Sequence, residues 1–482
     1  RTMRNYRVSR SAIAVAVIAA TTVLAGCTLG PNYARPGIET PAAYKEAQAW
    51  KQAEPRDNEP RGSWWKVFDD PQLDALLSQV EVSNQTIKAA EARVREAQAL
   101  TQAAQAAYFP IVTANAGATR SGGRAGTGVN GTPTGGPRNN FNVALDVNWE
   151  IDLWGRVRRT VEAGEATAQA SVADLEAAKL SAQAQLAEDY FLLRAQDTQI
   201  RLFATTVDAY QKSLQLTRNQ YAVGVAARAD VAQAETQLKS TQAQALDAGV
   251  QRAQLEHAIA VLLGKAPADF SIAAETVTTT FPPILPGLPS ELLERRPDIA
   301  AAERRTAAAN AQVGVAEAAF FPSLTLSATG GVQSSVLSQL FSLPSRYWSL
   351  GPALAQTIFD AGLRRAQSAQ AMATYDENVA TYRQTVLTGF QEVEDNLAAL
   401  RILEQEAAVQ DEAVTAARES LTITLNQYRA GTANYLAVVV AQATALANER
   451  AALMILGRRL TASVALIKAL GGSWSAAELP PR

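Results

Sequence analysis

A strict alternation of side chains, followed by a very long helical run, most constrains how this chain can fold. From Phe141 to Ile151, apolar residues occupy the odd positions, and the even positions are polar except for one alanine. This period of two predicts a strand with one apolar and one polar face. After Gly155, a run rich in alanine, glutamine and leucine continues without proline. Read as one helix over Val157–Ala222, it would be about 99 Å long at about 1.5 Å per residue.

The same plan occurs twice in the chain. A shift of 207 residues carries Gly155 onto Gly362 and Gly224 onto Gly431. Upstream, a shift of 212 residues carries Phe109-Pro110 onto the Phe-Pro step at 321–322. A shorter loop between two strands would absorb the difference of five residues. Because an array of helical repeats would show a much shorter period, we predict one domain made of two tandem copies.

Composition excludes several classes of function. The formal charge of −2 over 482 residues gives no basic excess for nucleic-acid binding. One histidine and one cysteine leave no material for a His/Cys metal site or a His-based nucleophilic triad. His257 lies in an apolar helical run and is interpreted as structural. Counting does not exclude carboxylate chemistry, but no paired residues suggest it, so we predict no catalytic site, no metal site and no enzyme.

The N-terminus accounts for the single cysteine. Four arginines precede an apolar run from Ala12 to Leu24, which is too short to span a bilayer and suits the core of a signal peptide. The run ends in LAGC at 24–27, which resembles a bacterial lipobox. In that class the chain is cut before the cysteine, whose thiol carries a diacylglycerol and whose new N-terminus usually carries a fatty acyl chain. We therefore predict a signal peptide at 1–26 and lipidation of Cys27, with no other cofactor.

The residue after the cysteine bears on sorting. Thr28 stands where the signal for retention in the inner membrane would typically be aspartate, so the resemblance implies the outer membrane. Residues 27–62, rich in proline and polar side chains, are predicted to be an extended lipidated leader.

Membrane crossing, if it occurs, is predicted to use strands. The most apolar later stretch, Ala451–Leu470, contains Arg458, Arg459 and Lys468, which are costly in hydrocarbon. Strands are predicted at about 111–119, 141–151, 323–332 and 347–357, each about the length that a tilted strand needs to cross a bilayer. Pro352 fits the fourth strand if it lies at a bulge or on the open side of the ladder.

Aromatic residues gather at the ends of these strands, as in the girdles that mark membrane interfaces. They are Tyr108, Phe109, Trp149, Trp154, Phe320, Phe321, Trp348 and Phe359. The arginines just past the second and fourth strands have two interpretations, contact with lipid phosphates or a solvated first helical turn. They are Arg156, Arg158, Arg159, Arg364 and Arg365.

Four strands cannot close a barrel, and an open edge cannot remain in lipid because its backbone groups would lack hydrogen-bond partners. Several chains must therefore share one barrel, although this argument does not fix their number.

The long helices carry a heptad pattern, which indicates coiled-coil packing. In the first copy the pattern is Phe203, Val207, Tyr210, Leu214, Thr217 and Tyr221, and in the second it is Gln410, Val414, Ala417, Leu421, Thr424 and Tyr428. A glycine then precedes a further helix in each copy, which predicts helical hairpins at about 157–264 and 363–470 with tips at 223–226 and 430–433. A free-standing coiled-coil scaffold would explain these helices but not the strands, girdles and lipobox.

The predicted domain plan follows from these elements. Repeat 1 covers 63–264 and repeat 2 covers 291–471. The proline-rich stretch 265–290 connects them and has room for a short strand at 276–280, and 472–482 is a C-terminal tail. The fold class is mixed and mostly α.

Four strings carry a family resemblance. They are LGPNY at 29–33, WEIDLWGR at 149–156, ERRPDI at 294–299 and WSLGP at 348–352. Together and in this order they resemble the TolC-like outer-membrane factors, specifically the NodT-type efflux lipoprotein branch (OprM-like). The match covers essentially the whole mature chain.

The resemblance implies a homotrimer with one shared twelve-stranded outer-membrane β-barrel and a periplasmic α-barrel of twelve long helices. The connector would contribute to an equatorial belt. The implied function is the passive exit duct of a tripartite resistance-nodulation-division drug efflux system, lipid-anchored in the outer membrane. The implied partners are a periplasmic adaptor, the inner-membrane pump and outer-membrane lipid.

The resemblance also assigns roles to the hairpin tips. The tip residues Val223, Gly224, Val225, Ala430, Gly431 and Thr432 would contact the adaptor. The simpler interpretation, that glycine merely permits the turn, is compatible with this role.

The gate departs from the family pattern. Family members such as OprM carry an aspartate nine residues past the second tip glycine and an arginine three residues further, but here these positions are Val440 and Ala443. We therefore predict an apolar constriction formed by Leu436 and Val440. Arg228 and Asp230 of the first hairpin are candidates for pairing between hairpins.

Other functions fit the same sequence. A duct of this fold could serve type I protein secretion or copper and silver export, and a lipid-anchored structural coiled coil is an alternative of another class. The lipobox and the four strings favour drug efflux over protein secretion, and three methionines are few for a copper relay.

Overall fold

The computed structural model describes residues 28–46, 63–122, 126–127, 133–134, 137–277 and 292–480. The signal peptide, Cys27 and most of the inter-repeat connector lie outside the described residues. The longer helices are α1 (Pro71–Ser83), α2 (Gln85–Gln105), α3 (Arg156–Ala222), α4 (Arg228–Leu262), α5 (Pro297–Ala318), α6 (Leu363–Arg429) and α7 (Tyr435–Ala469). The longer strands are β1 (Ile111–Ser121), β2 (Arg138–Ile151), β3 (Ser323–Ser334) and β4 (Arg346–Ala355).

The predicted tandem repeat is confirmed by the lengths of the helices. Helices α3 and α6 have 67 residues each, and helices α4 and α7 have 35 residues each. All four helices begin and end at positions related by the shift of 207 residues. At about 1.5 Å per residue, each long helix extends for about 100 Å.

The four predicted strands are also confirmed, and they form one antiparallel sheet in the order β1-β2-β3-β4. The pairing between neighbouring strands is continuous, without a bulge. Pro352, in the edge strand β4, lies opposite Leu326 of β3. A missing backbone N–H is tolerated in an edge strand. Strand β4 ends at Ala355, two residues before the predicted end.

A glycine turn joins β2 to the long helix α3, and another joins β4 to the long helix α6. Gly155 and Gly362 have φ of 81° and 91°, in the left-handed region that favours glycine. Asp152 accepts hydrogen bonds from the backbone N–H of Val157 (3.1 Å) and Arg158 (3.0 Å), which caps α3. Asp360 plays the corresponding part for α6 through Gly362 and Arg364.

Most of the arginines at these turns form ion pairs within the chain. The Arg156 guanidinium donates to both carboxylate oxygens of Glu150 (2.9 and 2.5 Å). Arg158 pairs with Asp152 at 3.2 Å, and Arg364 pairs with Asp360 at 2.6 Å. These contacts favour the interpretation as a first helical turn over contact with lipid phosphates.

The helices pack side by side in two layers, one nearer the sheet and one nearer the tips. The long helices α3 and α6 run through both layers. Nearer the sheet, α2 packs on α3, α3 on α5 and α5 on α6. Nearer the tips, α4 packs on α3, α3 on α7 and α7 on α6. The protomer is therefore a wall, four elements wide at each level.

The main apolar core lies where the two layers meet. Trp64, Trp65 and Phe68 are buried in it, directly after the leader. Asp70 caps α1 by accepting from the backbone N–H of Gln72 and Leu73, as its position before Pro71 predicts.

A buried ion-pair network fixes the described part of the connector. Asp197 accepts from Arg194 at 3.0 Å and from Arg252 at 2.7 Å. The same two arginines donate to the backbone oxygens of Ala273 and Ile272, each at 2.7 Å. Residues 276–277 are not in a strand, and the rest of the predicted 276–280 strand lies outside the described residues.

The leader is held against the top of the helical wall. The Leu29 N–H donates to the backbone oxygen of Trp154 at 3.2 Å. The buried Arg159 guanidinium donates to the backbone oxygens of Leu29 and Gly30, each at 3.1 Å. Gly30 lies so close to Gly314 of α5 that a β-carbon on Gly30 would be 2.5 Å from the Gly314 Cα.

We predict that Gly314→Ala releases the leader. The added methyl group would lie 2.9 Å from Arg159 Nε and 3.0 Å from the Leu29 oxygen, so it should cost about 1–3 kcal/mol of overpacking. Chymotrypsin should then cleave after Tyr33 of the leader faster than in the parent protein. Gly249→Ala in α4 is the matched control, because a β-carbon there meets nothing within 4 Å and should stabilise the helix by about 0.5–1 kcal/mol. Equal protection of the leader in both variants would contradict this account.

Candidate functional site: a two-faced sheet and two hairpin tips

The sheet has one polar and one apolar face. Because residues paired across antiparallel strands share a face, the continuous register places Thr113, Asp146, Thr329 and Ser349 in one row. The adjacent row, on the other face, is Val112, Val147, Ala328 and Leu350. The sequence pattern of β2 therefore extends over all four strands.

Hydrogen bonds between side chains connect the polar face. The Asn115 amide donates to Asp146 at 2.5 Å, and the Thr329 hydroxyl donates to Asp146 at 2.6 Å, so three strands meet at this carboxylate. The Ser327 hydroxyl donates to Asn148 at 2.9 Å in the next row. These groups are small and polar, as expected of a face in contact with water.

Most of the predicted aromatic residues gather at the helical end of the sheet. Trp149 donates from Nε1 to the backbone oxygen of Tyr108 at 3.0 Å, and Trp154 donates to that of Pro322 at 2.8 Å. The Trp154 and Phe321 rings lie 4.9 Å apart. Phe109, Phe320 and Phe359 are exposed near the same end, whereas Trp348 is exposed near the start of β4, at the opposite end of that strand.

The wall has two open edges. In the part of the chain that the structure describes, β1 pairs only with β2, and β4 pairs only with β3. Helix α6, at one edge of the helical layers, exposes Ile402, Val409 and Ile423, spaced by seven and fourteen residues. Heptad spacing of exposed apolar side chains is typical of a surface that packs against another helix.

The two hairpin tips have nearly identical backbones. Gly224 and Gly431 have φ of 78° and 77°. The N–H of Val225 donates to the Gln220 oxygen at 2.8 Å, and the N–H of Thr432 donates to the Gln427 oxygen at 2.9 Å, which closes each helix end. Val223 and Val225 are largely exposed, and Ala430 is exposed as well. The tips thus present small and apolar groups to the surroundings.

The helices after the tips are capped in different ways. Asn434 caps α7 by accepting from the Ala437 N–H at 3.0 Å. The corresponding Ala227 has no side-chain acceptor, and the Asp230 carboxylate instead accepts from the Ala227 N–H at 3.0 Å. Asp230 therefore has a capping role within its own hairpin, which the predicted pairing between hairpins did not include. Arg228 is exposed and forms no ion pair among the described residues.

The predicted gate residues lie on one exposed side of α7. Leu436 is 53% exposed and Val440 is 57% exposed, four residues further along the helix. The buried side of α7 carries Tyr435 and Val438, which pack against the first hairpin. The protomer leaves Leu436 and Val440 available for contact with other molecules or with other copies of the chain.

Tyrosine hydroxyls connect the two hairpins near their tips. Tyr210 donates to the Gln442 backbone oxygen at 3.1 Å, and Tyr428 donates to the Thr217 hydroxyl at 3.2 Å. Tyr435 shares a 3.4 Å hydrogen bond with Ser213. Burial raises the pKa of Tyr210, Tyr428 and Tyr435, so these hydroxyls keep their protons at neutral pH.

The two repeats differ in the exposure of an equivalent tyrosine near the tip. Tyr428 is 5% exposed, whereas its counterpart Tyr221 is 46% exposed. The sequence places both tyrosines in equivalent heptad patterns and gives no signal that only one is covered. The difference arises because the second hairpin packs on the first, while the outer side of the first hairpin has no neighbour in the protomer.

The described residues offer little for other kinds of site. No group of three His, Cys, Asp or Glu side chains among them is placed to hold a metal ion. A cavity of about 620 Å³ between the leader, α5 and the C-terminal tail is lined by Tyr33, Glu303 and Arg304. The Tyr33 hydroxyl and the Arg304 guanidinium both donate hydrogen bonds to Glu303, and the guanidinium also lies over the Tyr33 ring, so these three side chains are already engaged with one another.

None of the helices that the structure describes has both the length and the apolar character that crossing a bilayer requires.

Comparisons with known proteins agree with this architecture. A protein-family profile described as "Outer membrane efflux protein" matches residues 76–265 and 288–472. The probable efflux pump outer membrane protein TtgC of Pseudomonas putida is 32% identical over 471 residues, which cover 97% of this chain and 96% of TtgC. The pyoverdine export outer membrane protein OpmQ of Pseudomonas aeruginosa is 32% identical over 464 residues, with coverage of 95% and 97%.

Solved structures agree as well. The outer-membrane channel OprN superimposes with a TM-score of 0.86 at 33% sequence identity, covering 92% of this chain and 99% of OprN.

Proposed function

The chain belongs to the outer membrane efflux protein family, and from that premise we propose that it is the passive exit duct of a tripartite resistance-nodulation-division drug efflux system. It is an outer-membrane efflux component that extends into the periplasm. The observation that carries the proposal is the continuity of the two-faced sheet with two helices of 67 residues each. This continuity gives one wall a membrane section and a long periplasmic section.

We infer a homotrimer from the two open edges. Backbone groups at the free edges of β1 and β4 would lack partners in lipid, so each edge must pair with another copy. Three copies would supply twelve strands, more than the eight that small closed barrels need. The exposed heptad row on α6 would meet the neighbouring protomer in the same way.

The internal repeat predicts how neighbouring protomers touch. Within the protomer, Tyr428 of the second repeat bonds Thr217 of the first. The residue 207 positions before Tyr428 is Tyr221, and the residue 207 positions after Thr217 is Thr424. The equivalent contact therefore pairs Tyr221 with Thr424, and this pair requires Thr424 to come from the adjacent protomer. Tyr221 is half-exposed and Thr424 is not fully buried, so both are accessible for this contact.

A cysteine pair tests this arrangement. We expect Tyr221→Cys with Thr424→Cys to be joined between subunits by a short thiol crosslinker, giving covalent dimers and trimers on a denaturing gel. Thr217→Cys with Tyr428→Cys is the matched control and should crosslink within one chain. Monomers alone from the first pair, when the control pair reacts, would contradict the trimer.

The hairpin tips are the proposed contact for the periplasmic adaptor. Small residues around Gly224 and Gly431 leave the backbone accessible, and the exposed valines of the first tip provide apolar area without charge. Such a surface suits a partner that docks helix ends against it. The inner-membrane pump is the proposed energy source, since the duct itself is proposed to have no catalytic role.

The proposed gate is an apolar neck at the tips. Three copies of Leu436 and Val440 would surround the axis, and a narrow apolar constriction excludes water and ions. We predict that Val440→Asp raises the resting ion conductance of the purified channel in planar bilayers. Val440→Ile keeps the neck apolar and should leave it closed. Equal conductance in the two variants would argue against this gate.

Lipidation of Cys27 is proposed from the lipobox and from the position of the next residue. Thr28 lies against Gly155, and Leu29 bonds the backbone of Trp154, at the helical end of the sheet where the aromatic residues gather. An acyl chain on the preceding residue would therefore start at the level of a membrane interface. We predict that Cys27→Ser abolishes incorporation of labelled palmitate in cells, and retained label would overturn the assignment.

Deletion of the gene tests the function directly. Cells that lack the chain should accumulate more of several drugs in a broad panel, and expression of the parent chain should restore export. The panel must be broad because OpmQ, at the same identity as TtgC, is named for pyoverdine export. Unchanged accumulation of every compound, with the partner pump expressed, would contradict a role in drug efflux.

A further inference from the structure

We propose that Asp146 makes the outer-membrane section of the duct selective for cations. The inference rests on the proposed function, because it requires the polar face of the sheet to line a shared lumen. It concerns a property that the family assignment does not specify, namely which sign of charge passes more easily.

Asp146 is isolated from other charges on the polar face. Among the described positions of that face, the other charged residues are Arg138 and Glu150 on the same strand. Arg138 is eight residues away, or about 26 Å at about 3.3 Å per residue. Glu150 is neutralised by its two hydrogen bonds from Arg156. The middle of the face therefore carries one uncompensated negative charge per protomer.

The surroundings hold this carboxylate in its charged form and in a fixed position. Asn115 and Thr329, on the two flanking strands, both donate to it, at 2.5 and 2.6 Å. Hydrogen bonds donated to a carboxylate favour its ionised form. None of the described Lys or Arg side chains pairs with Asp146, so its charge is left to act on mobile ions.

The rest of the row leaves the charge exposed to the lumen. Thr113, Thr329 and Ser349 lie beside Asp146 in the same register row, and all three have short side chains. In a trimer, three copies of Asp146 would form a ring at one height, separated by small hydroxyl-bearing residues. No bulky side chain of this row would shield the ring from the axis.

The size of the lumen sets the strength of the effect. Twelve strands about 4.8 Å apart and tilted about 40° give a backbone radius of about 12 Å. A carboxylate that projects inward lies closer to the axis, within the Debye length of about 10 Å at about 0.1 M ionic strength. The ring should thus attract cations and repel anions in dilute salt, and it should lose this effect near 1 M, where the Debye length is about 3 Å.

The test is the ratio of potassium to chloride permeability, measured from reversal potentials of the purified full-length channel in planar bilayers under a KCl gradient. Every channel compared, including the parent, carries Val440→Ser, which makes the proposed apolar neck polar so that it conducts. Val440→Asp is avoided because it adds charge elsewhere. We expect Asp146→Asn to lower the ratio at least about threefold near 0.01 M salt and to leave it unchanged near 1 M. The substitution preserves the shape of the side chain: its amide oxygen can accept from Asn115, and its NH2 group can donate to the Thr329 hydroxyl, which then accepts.

Two further variants separate charge from folding. In the double variant Asp146→Asn with Asn148→Asp, the carboxylate moves two residues along the same face and should restore the ratio. Ser349→Asp adds a second carboxylate to the same row and should raise the ratio above that of the parent chain. A structural defect caused by the loss of Asp146 would not be reversed by the relocated charge.

The outcomes distinguish this inference from the proposed function. If the parent and every variant fail to conduct in this opened background, the duct itself is contradicted. If they conduct with the same permeability ratio in dilute salt, the duct stands and the role of Asp146 is overturned. That role is likewise overturned if the relocated carboxylate does not restore the ratio.

Discussion

The hydrogen-bonding needs of the backbone at the two free sheet edges determine the rest of this structure. A strand in hydrocarbon has no water to satisfy its N–H and C=O groups, and four strands cannot satisfy them by closing on themselves. The protomer is accordingly built as a section of wall, with β1 and β4 at the margins of the sheet and α6 at one margin of both helical layers. The same edges that would be a liability in an isolated molecule become the joints of an assembly.

The helical section extends this plan away from the membrane. Glycines with positive φ turn each descending strand into a long helix without an intervening domain, and the aspartates three and two residues before them cap the helix starts. The sheet therefore continues directly into the helical layers. Buried clusters, such as the Asp197 network and the core around Phe68, fix the level at which the two helical layers meet.

Much of the fold could be predicted because its signals are periodic. The alternation in β2, the heptads of the long helices and the shift of 207 residues each repeat often enough to be read without knowledge of tertiary contacts. The finer features of the site could not be predicted in this way. The capping role of Asp230 depends on an alanine at the preceding cap position, and the burial of Tyr428 but not Tyr221 depends on which hairpin has a neighbour. The hold of Arg159 on the leader likewise depends on residues 130 positions apart. Such contacts leave no local pattern.

In the proposed trimer, the covered Tyr428 would mark a seam inside one chain, and the half-exposed Tyr221 would mark a seam between two chains. Seams inside a chain are inherited with the polypeptide and need no encounter between molecules, whereas those between chains form late and can be loosened separately. Substitutions can therefore accumulate in one class without disturbing the other. A tube of six identical pieces would have six equivalent joints, whereas the proposed tube of three doubled pieces would have two classes of joint, and one class could loosen while the other preserves the shape of the tube.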